Sequence, residues 1–74
     1  MSTTTRNRLG KRLRTLRESH GLSLNDVAKT HGVDKGMLSR IERGETRPSL
    51  STLRKLRDAY AVDDAAFLAW IDAA

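Results

Sequence analysis

The residues of this 74-residue chain best equipped for chemistry are its cations. Fourteen Lys and Arg stand against nine Asp and Glu, a net charge of +5 with a pI near 10.5. All fourteen fall between Arg6 and Arg57, where they face five acids (Glu18, Asp26, Asp34, Glu42 and Glu45), a net of +9. From Asp58 to Ala74 there are four acids and no base, a net of −4. A basic body with an acidic end implies a polyanion held on one face. The competing explanation is an Arg-rich surface that serves solubility alone.

Other chemistries lack their residues. The chain has no cysteine, which removes disulfide frameworks and Cys-based metal sites. His20 and His31 flank helices and do not converge with carboxylates at ligand spacing, and no Gly-rich loop cradles phosphate. The expectation is a protein that is not an enzyme and uses no cofactor, no metal and no evident small-molecule ligand. No run approaches the roughly 20 apolar residues of a membrane span, and Met1 to Arg6 lack the apolar stretch of a signal peptide. No membrane partner is therefore expected, and the expected location is cytoplasmic.

The elements that must position these cations read as helices. Residues 1–5 (Met-Ser-Thr-Thr-Thr) are expected to form a short disordered arm, and residues 6–74 one domain. Leu9, Leu13 and Leu16 keep the spacing of a helix buried on one side. Gly21 supplies its stop, and Leu22 packs back after it. Ser23 with Asp26 makes a near capping box for a second helix, which Gly32 ends. Asp34 caps a third helix from Lys35 to about Arg43, stopped by Gly44. Ser49 caps a fourth, marked by Leu50, Leu53, Leu56 and Tyr60. Val62, Asp63 and Phe67 fit a hydrophobic staple that opens a fifth helix carrying Phe67, Leu68, Trp70 and Ile71. The expected core is Leu9, Leu13, Leu16, Leu22, Val27, Ala28, Val33, Leu38, Ile41, Leu50, Leu53 and Leu56.

The stretch from Leu24 to Arg43 is the informative one. Two short helices meet through a tight connection at Gly32, where positive φ costs glycine nothing. Ala28 is small enough for the inner corner, and Val27, Val33, Leu38 and Ile41 fill the wedge behind. The outward face of the third helix is left with Lys35, Gly36, Ser39, Arg40 and Arg43.

These residues resemble the Cro/repressor-type helix-turn-helix family (XRE family), the lambda-repressor-like DNA-binding domains. The matching segments are Leu9-Gly10-Lys11-Arg12-Leu13-Arg14, Arg17 to Ser23, Asp26-Val27-Ala28, Gly32-Val33, Leu38 to Gly44, and Arg47 to Leu53. The resemblance covers about residues 8 to 68. It implies an all-α, five-helix domain with its helix-turn-helix at about residues 24–43. The implied function is sequence-specific binding of double-stranded DNA by a transcriptional regulator. A small homodimeric repressor of bacterial or phage origin, working on the nucleoid and reading a pseudopalindromic operator, fits best. The alternative is an antitoxin or adaptor whose last helix binds a protein, with DNA binding secondary.

By resemblance the third helix enters the major groove and Lys35, Gly36, Met37 and Arg40 face base edges. Lys and Arg favour guanine O6 and N7. Gly36 lets the backbone approach, and Met37 either touches a thymine methyl or packs against the second helix. Phosphate contacts are expected from Ser23, Asn25, Ser39, Arg43, Thr46, Arg47 and Ser49. Glu42 points inward in the family and pairs with an Arg of the first helix, here Arg14 or Arg17. Two positions depart from the pattern. Leu24 stands where Gln is common, leaving Asn25 as the nearest substitute. His31 stands where an apolar residue precedes the turn Gly, either contacting phosphate or sensing pH, or simply half-buried with its polar tip in water. Phe67, Trp70 and Ile71 are expected at or beside a dimer interface, with closure of the monomer's own core as the other role for Phe67 and Trp70.

Overall fold

A computed structural model describes residues 2–73. Five helices follow one another: α1 Ser2–Ser19, α2 Leu24–His31, α3 Lys35–Glu42, α4 Leu50–Tyr60 and α5 Asp64–Ala73. There is no strand among the described residues. Helix α1 packs on α3 and α5, α2 on α3 and α4, and α4 on α5. Its backbone begins at Ser2, four residues before the Arg6 start expected above. Once Leu9 and Leu13 hold a helix against the core, each further residue adds a hydrogen bond without a new nucleus. Of the expected arm, Met1 lies outside the described residues.

The boundaries follow local chemistry. The amide of Asp26 donates to Ser23 Oγ at 3.0 Å, and the Ser23 amide donates back to Asp26 Oδ2 at 2.8 Å. The Met37 amide donates to Asp34 Oδ2 at 2.8 Å, and that of Thr52 to Ser49 Oγ at 3.1 Å. The Ala66 amide donates to Asp63 Oδ1 at 2.9 Å, the cap expected for α5. Helix α1 stops in a Schellman turn: the Leu22 amide reaches the Arg17 carbonyl and that of Gly21 the Glu18 carbonyl, with Gly21 at φ 68°.

The core joins Leu9, Leu13, Val27, Val33, Leu38, Ile41, Leu53 and Leu56 to three aromatics, Tyr60, Phe67 and Trp70. Leu16 and Leu22 are partly buried against it. Leu50 departs from expectation and is 47% exposed. It occupies the first turn of α4, where Leu53, Leu56 and Tyr60 take the covered positions. One contact was invisible in the sequence pattern. A Cβ on Gly10 would stand 2.5 Å from the Ile41 carbonyl oxygen and 2.6 Å from that of Glu42. The missing side chain thus sets how closely α1 approaches the end of α3.

Candidate nucleic-acid interface

The connection between α2 and α3 is held from both sides. Gly32 sits at φ 67° in the left-handed region and its amide donates to the Ala28 carbonyl at 3.1 Å. Lys55, on α4, donates from Nζ to the Gly32 carbonyl at 3.1 Å. Behind the turn, Val27, Val33, Leu38 and Ile41 are buried. Helix α3 is therefore fixed by packing on one side and by the Asp34 cap at its start, and its other side faces solvent.

That solvent side carries Lys35, Gly36 and Arg40, all exposed. An added Cβ at Gly36 would stand 3.5 Å from Arg40 Nη1 and 3.3 Å from Asp34 Oδ2. Gly36 leaves the Arg40 guanidinium room to lie along the helix start. Met37 is half-buried and packs against the core, so packing takes most of its surface. Among the described residues Lys35, Arg40 and Arg47 enter no ion pair. These three are cations without an ion-pair partner on and beside α3, and the charge of Arg40 also acts on Glu45.

The residues expected at phosphate divide into two groups. Asn25 and Arg47 are exposed, and Thr46 is half-buried. The hydroxyls of Ser23 and Ser49 already serve as helix caps, and Ser49 Oγ also donates to Thr52 Oγ1 at 3.0 Å. Arg43 commits three of its N–H donors, one on each guanidinium nitrogen. Nη1 donates to Ser39 Oγ at 2.6 Å, while Nε and Nη2 donate to the two carboxylate oxygens of Glu45 at 2.7 and 3.2 Å. Nothing in the sequence reading singled out Glu45. The signal was Gly44, whose stop conformation returns the next residue onto the helix end.

The acid on α3 is turned away from this surface. Glu42 is buried and accepts from Arg17 Nε and Nη2 at 2.8 and 3.0 Å. Arg17 is thus the partner, and its hydrogen bonds to Glu42 raise its own pKa above the ordinary arginine value. Arg14 pairs instead with Glu18 one turn along α1, in the open. Leu24, in the place of the family's Gln, is half-buried. With Arg14, Arg17, Ser39, Glu42 and Arg43 it lines a cleft of about 230 Å³. His31 is half-buried as well.

The other end of the molecule has a different character. Trp70 is 1% exposed and Phe67 9%. They stack edge-on at 6.3 Å, and Trp70 meets Tyr60 at 6.5 Å. Both pack into the core of the chain itself, the other role expected for them. Helix α5 is apolar nearly all round, and the ring-bearing side is the one that packs on α1 and α4. Ile71 at 40% and Leu68 at 60% are the large apolar side chains it leaves in solvent. Arg57 ties α5 to α4 through an ion pair with Asp64 and lies 4.9 Å over the Phe67 ring.

Among the described residues no cluster of three or more His, Cys, Asp or Glu is placed to hold a metal ion. No described helix is long and apolar enough to cross a membrane.

Comparison with known proteins agrees with this geometry. The family profile "Helix-turn-helix domain" matches residues 8–70. The chain is 44% identical over 55 residues to the HTH-type transcriptional regulator DdrOP3 of Deinococcus deserti, covering 74% of this chain and 43% of that protein. It is 38% identical over 60 residues to the HTH-type transcriptional regulator SutR of Escherichia coli, covering 81% of this chain and 34% of that protein. A crystal structure of an HTH_3 family transcriptional regulator from Vibrio cholerae superposes with a TM-score of 0.79 at 35% identity. That match covers 97% of this chain and 39% of the other. The chain thus spans less than half the length of each of these proteins. Its match along nearly the whole sequence, and its capped helix pair with a cationic outer side, show that the chain belongs to the helix-turn-helix domain family in its Cro/repressor (XRE) form, a family of DNA-binding transcription regulators.

Proposed function

We propose that this domain binds double-stranded DNA sequence-specifically and acts in transcription as a homodimeric repressor on a pseudopalindromic operator. The observation that carries the reading is the exposed row of Lys35, Gly36 and Arg40 on α3, two cations without ion-pair partners flanking a position with no side chain. Placed in the major groove, Arg40 donates to guanine O6 and N7, Lys35 reaches a neighbouring acceptor, and Gly36 lets the backbone close on the base edges. Met37 adds an apolar edge that fits a thymine methyl. Asn25, Ser39, Arg43, Thr46 and Arg47 position the helix by phosphate contact, joined by Ser23 and Ser49 through the helix starts they cap.

One domain of this size makes few base contacts, which limits affinity and specificity. Two copies on half-sites about 34 Å apart, one DNA turn, double them. Ile71 and Leu68 are the apolar groups available for that assembly. The two regulators named above are bacterial and other matched regulators are archaeal; a cytoplasmic, nucleoid-bound role is part of the proposal.

The test is selection of preferred sites from random duplex DNA, followed by titration of selected and random duplexes at two salt concentrations. The expected result is an enriched site with two-fold symmetry, bound on the order of 10³-fold or more above random DNA, with affinity falling steeply with salt. Recovery of no preferred sequence would refute the reading. Sedimentation of the complex decides between one and two copies per site.

A further inference from the structure

At the end of α3 an acid occupies the guanidinium that the DNA-binding reading assigns to a phosphate. The turn after Arg43 is a Schellman motif. Gly44 adopts φ 75°, its amide donates to the Ile41 carbonyl at 3.0 Å, and the Glu45 amide donates to the Arg40 carbonyl at 2.9 Å. The backbone therefore holds Glu45 against the last turn of α3. From there its two carboxylate oxygens take two donors of the Arg43 guanidinium, at 2.7 and 3.2 Å. A third donor goes to Ser39 Oγ at 2.6 Å. Both partners stand in the open, with side chains 56% and 53% exposed. The bidentate fork that Arg43 offers to Glu45 is the geometry guanidinium uses for phosphate. The Glu45 carboxyl is held below the usual carboxylate range, first by its hydrogen bonds from Arg43, with the charges of Arg43 and Arg40 adding to the effect.

Two arrangements are open to this pair beside DNA. If Arg43 keeps Glu45, its charge is already neutralised and it releases no counterion from DNA. If Arg43 turns to a phosphate, Glu45 is left as a bare anion next to the DNA backbone. Both weaken binding relative to a chain without the acid. We propose that Glu45 is an internal substitute for a DNA phosphate, occupying Arg43 and lowering by about one contact the affinity and salt dependence of the whole domain. The inference rests on the DNA-binding reading above. It makes Glu45 an affinity-setting residue that touches no base, so its effect is the same on every sequence.

The experiment measures binding of fluorescein-labelled selected and random-sequence duplexes over a salt series, for wild type, Glu45→Gln, Arg43→Ala and the double variant. Glu45→Gln keeps the backbone amide that closes the turn, and a thermal melt confirms that each variant is folded. The expected result is that Glu45→Gln tightens binding to both duplexes by the same factor, roughly two- to fivefold, the scale of an exposed ion pair. The slope of log K against log salt steepens by about 0.9. In the Arg43→Ala background the gain disappears, because the released fork is no longer there. A gain that persists with Arg43→Ala means repulsion at a distance and overturns the pairing. Unchanged affinity and slope in Glu45→Gln, with wild type binding normally, overturn this inference alone. A wild type that binds neither duplex overturns the DNA reading and this inference together.

Discussion

Arg17 on α1 and Glu42 on α3 meet through two near-parallel hydrogen bonds, with side chains only 11% and 6% exposed. A third Arg17 donor reaches the Leu22 carbonyl at 2.9 Å. The pair thus joins three segments and keeps the acid of α3 off its cationic outer side. Deleting one partner of such a pair strands the other charge, at a cost of about 3–5 kcal/mol. A domain of this size has on the order of 5 kcal/mol in total. Glu42→Ala and Arg17→Ala are each expected to leave much of the population unfolded at 37 °C by circular dichroism. Arg17→Met with Glu42→Leu, which removes both charges and keeps the volume, is expected to recover most of the loss. A Glu42→Ala melt within a few degrees of wild type would show that the pair carries little.

Gly10 makes a prediction opposed to helix propensity. In an exposed helix interior, Gly→Ala gains about 1 kcal/mol. Here the new methyl would meet two backbone carbonyls, those of Ile41 and Glu42, at 2.5 and 2.6 Å. Backbone at the end of a packed helix cannot move aside as a side-chain tip can. Gly10→Ala is expected to lose about 1–3 kcal/mol in urea unfolding, the range for overpacked cores. A stabilised Gly10→Ala would mean that α1 does not approach α3 this closely.

These two contacts also show where the sequence was legible. Ser23, Asp34, Ser49 and Asp63 announce their helices because a cap is a bond between a side chain and an amide three residues away. Gly32 and Gly44 mark stops for the same local reason. The inward turn of Glu42 is implied by the family resemblance, but Arg14 and Arg17 stand on the same helix three residues apart, and only the packing of α1 on α3 selects Arg17. Gly10 was silent because its partners lie more than thirty residues further along the chain. Leu50 misled, since helical spacing says which residues share a face and not whether another element covers the first turn. Helix α5 left two roles open. With apolar residues nearly all round, its periodicity could not say which side is covered, and Phe67 and Trp70 turned out to be the buried side. Glu45 escaped notice because an exposed acid two residues beyond an arginine has no pattern of its own.

The recognition surface divides into groups with different signatures. Arg40 is exposed beside the vacancy at Gly36. Arg40→Ala is expected to lose about 1–3 kcal/mol of binding and to relax preference at one base pair per half-site. Arg47→Ala is expected to weaken binding to all sequences alike and to reduce the salt slope by about one contact. Titration of both variants against selected and random duplexes separates the two roles. Equal weakening on both DNAs by Arg40→Ala would make Arg40 a phosphate contact.

Acid should open α2 at its start. The Ser23 amide donates to the Asp26 carboxylate, and this bond holds the Asp26 pKa below its ordinary 3.8, with the Ser23 side chain contributing further. A carboxyl whose folded pKa is depressed stabilises in full above its unfolded value. That stabilisation is lost as pH falls from 3.8 through the lower folded value. Asp26→Asn is therefore expected to melt below wild type at pH 7, with the gap closing as pH falls below about 3.8. A gap as wide at pH 2 as at pH 7 would assign the loss to the amide's shape and not to the ionised cap.

Helix α5 supplies a test of assembly that its burial pattern makes clean. Trp70 is 1% exposed and rests against Tyr60 and Phe67, so Trp70→Ala removes a core ring, a loss of about 3–5 kcal/mol. Failure of that variant to bind DNA would report unfolding and carry no message about dimers. Leu68 and Ile71 stand 60% and 40% exposed, and replacing them takes little from the monomer's core. Leu68→Asp with Ile71→Asp is expected to leave the melting temperature within a few degrees of wild type. If two copies meet through these residues, each added pair of carboxylates faces its own copy across a two-fold axis. Like charges in a contact cost several kcal/mol. Sedimentation should then show wild type with two copies on a palindromic operator and the double variant with one, its binding no longer cooperative. Cooperative binding of two copies by the double variant would place the contact elsewhere on the surface.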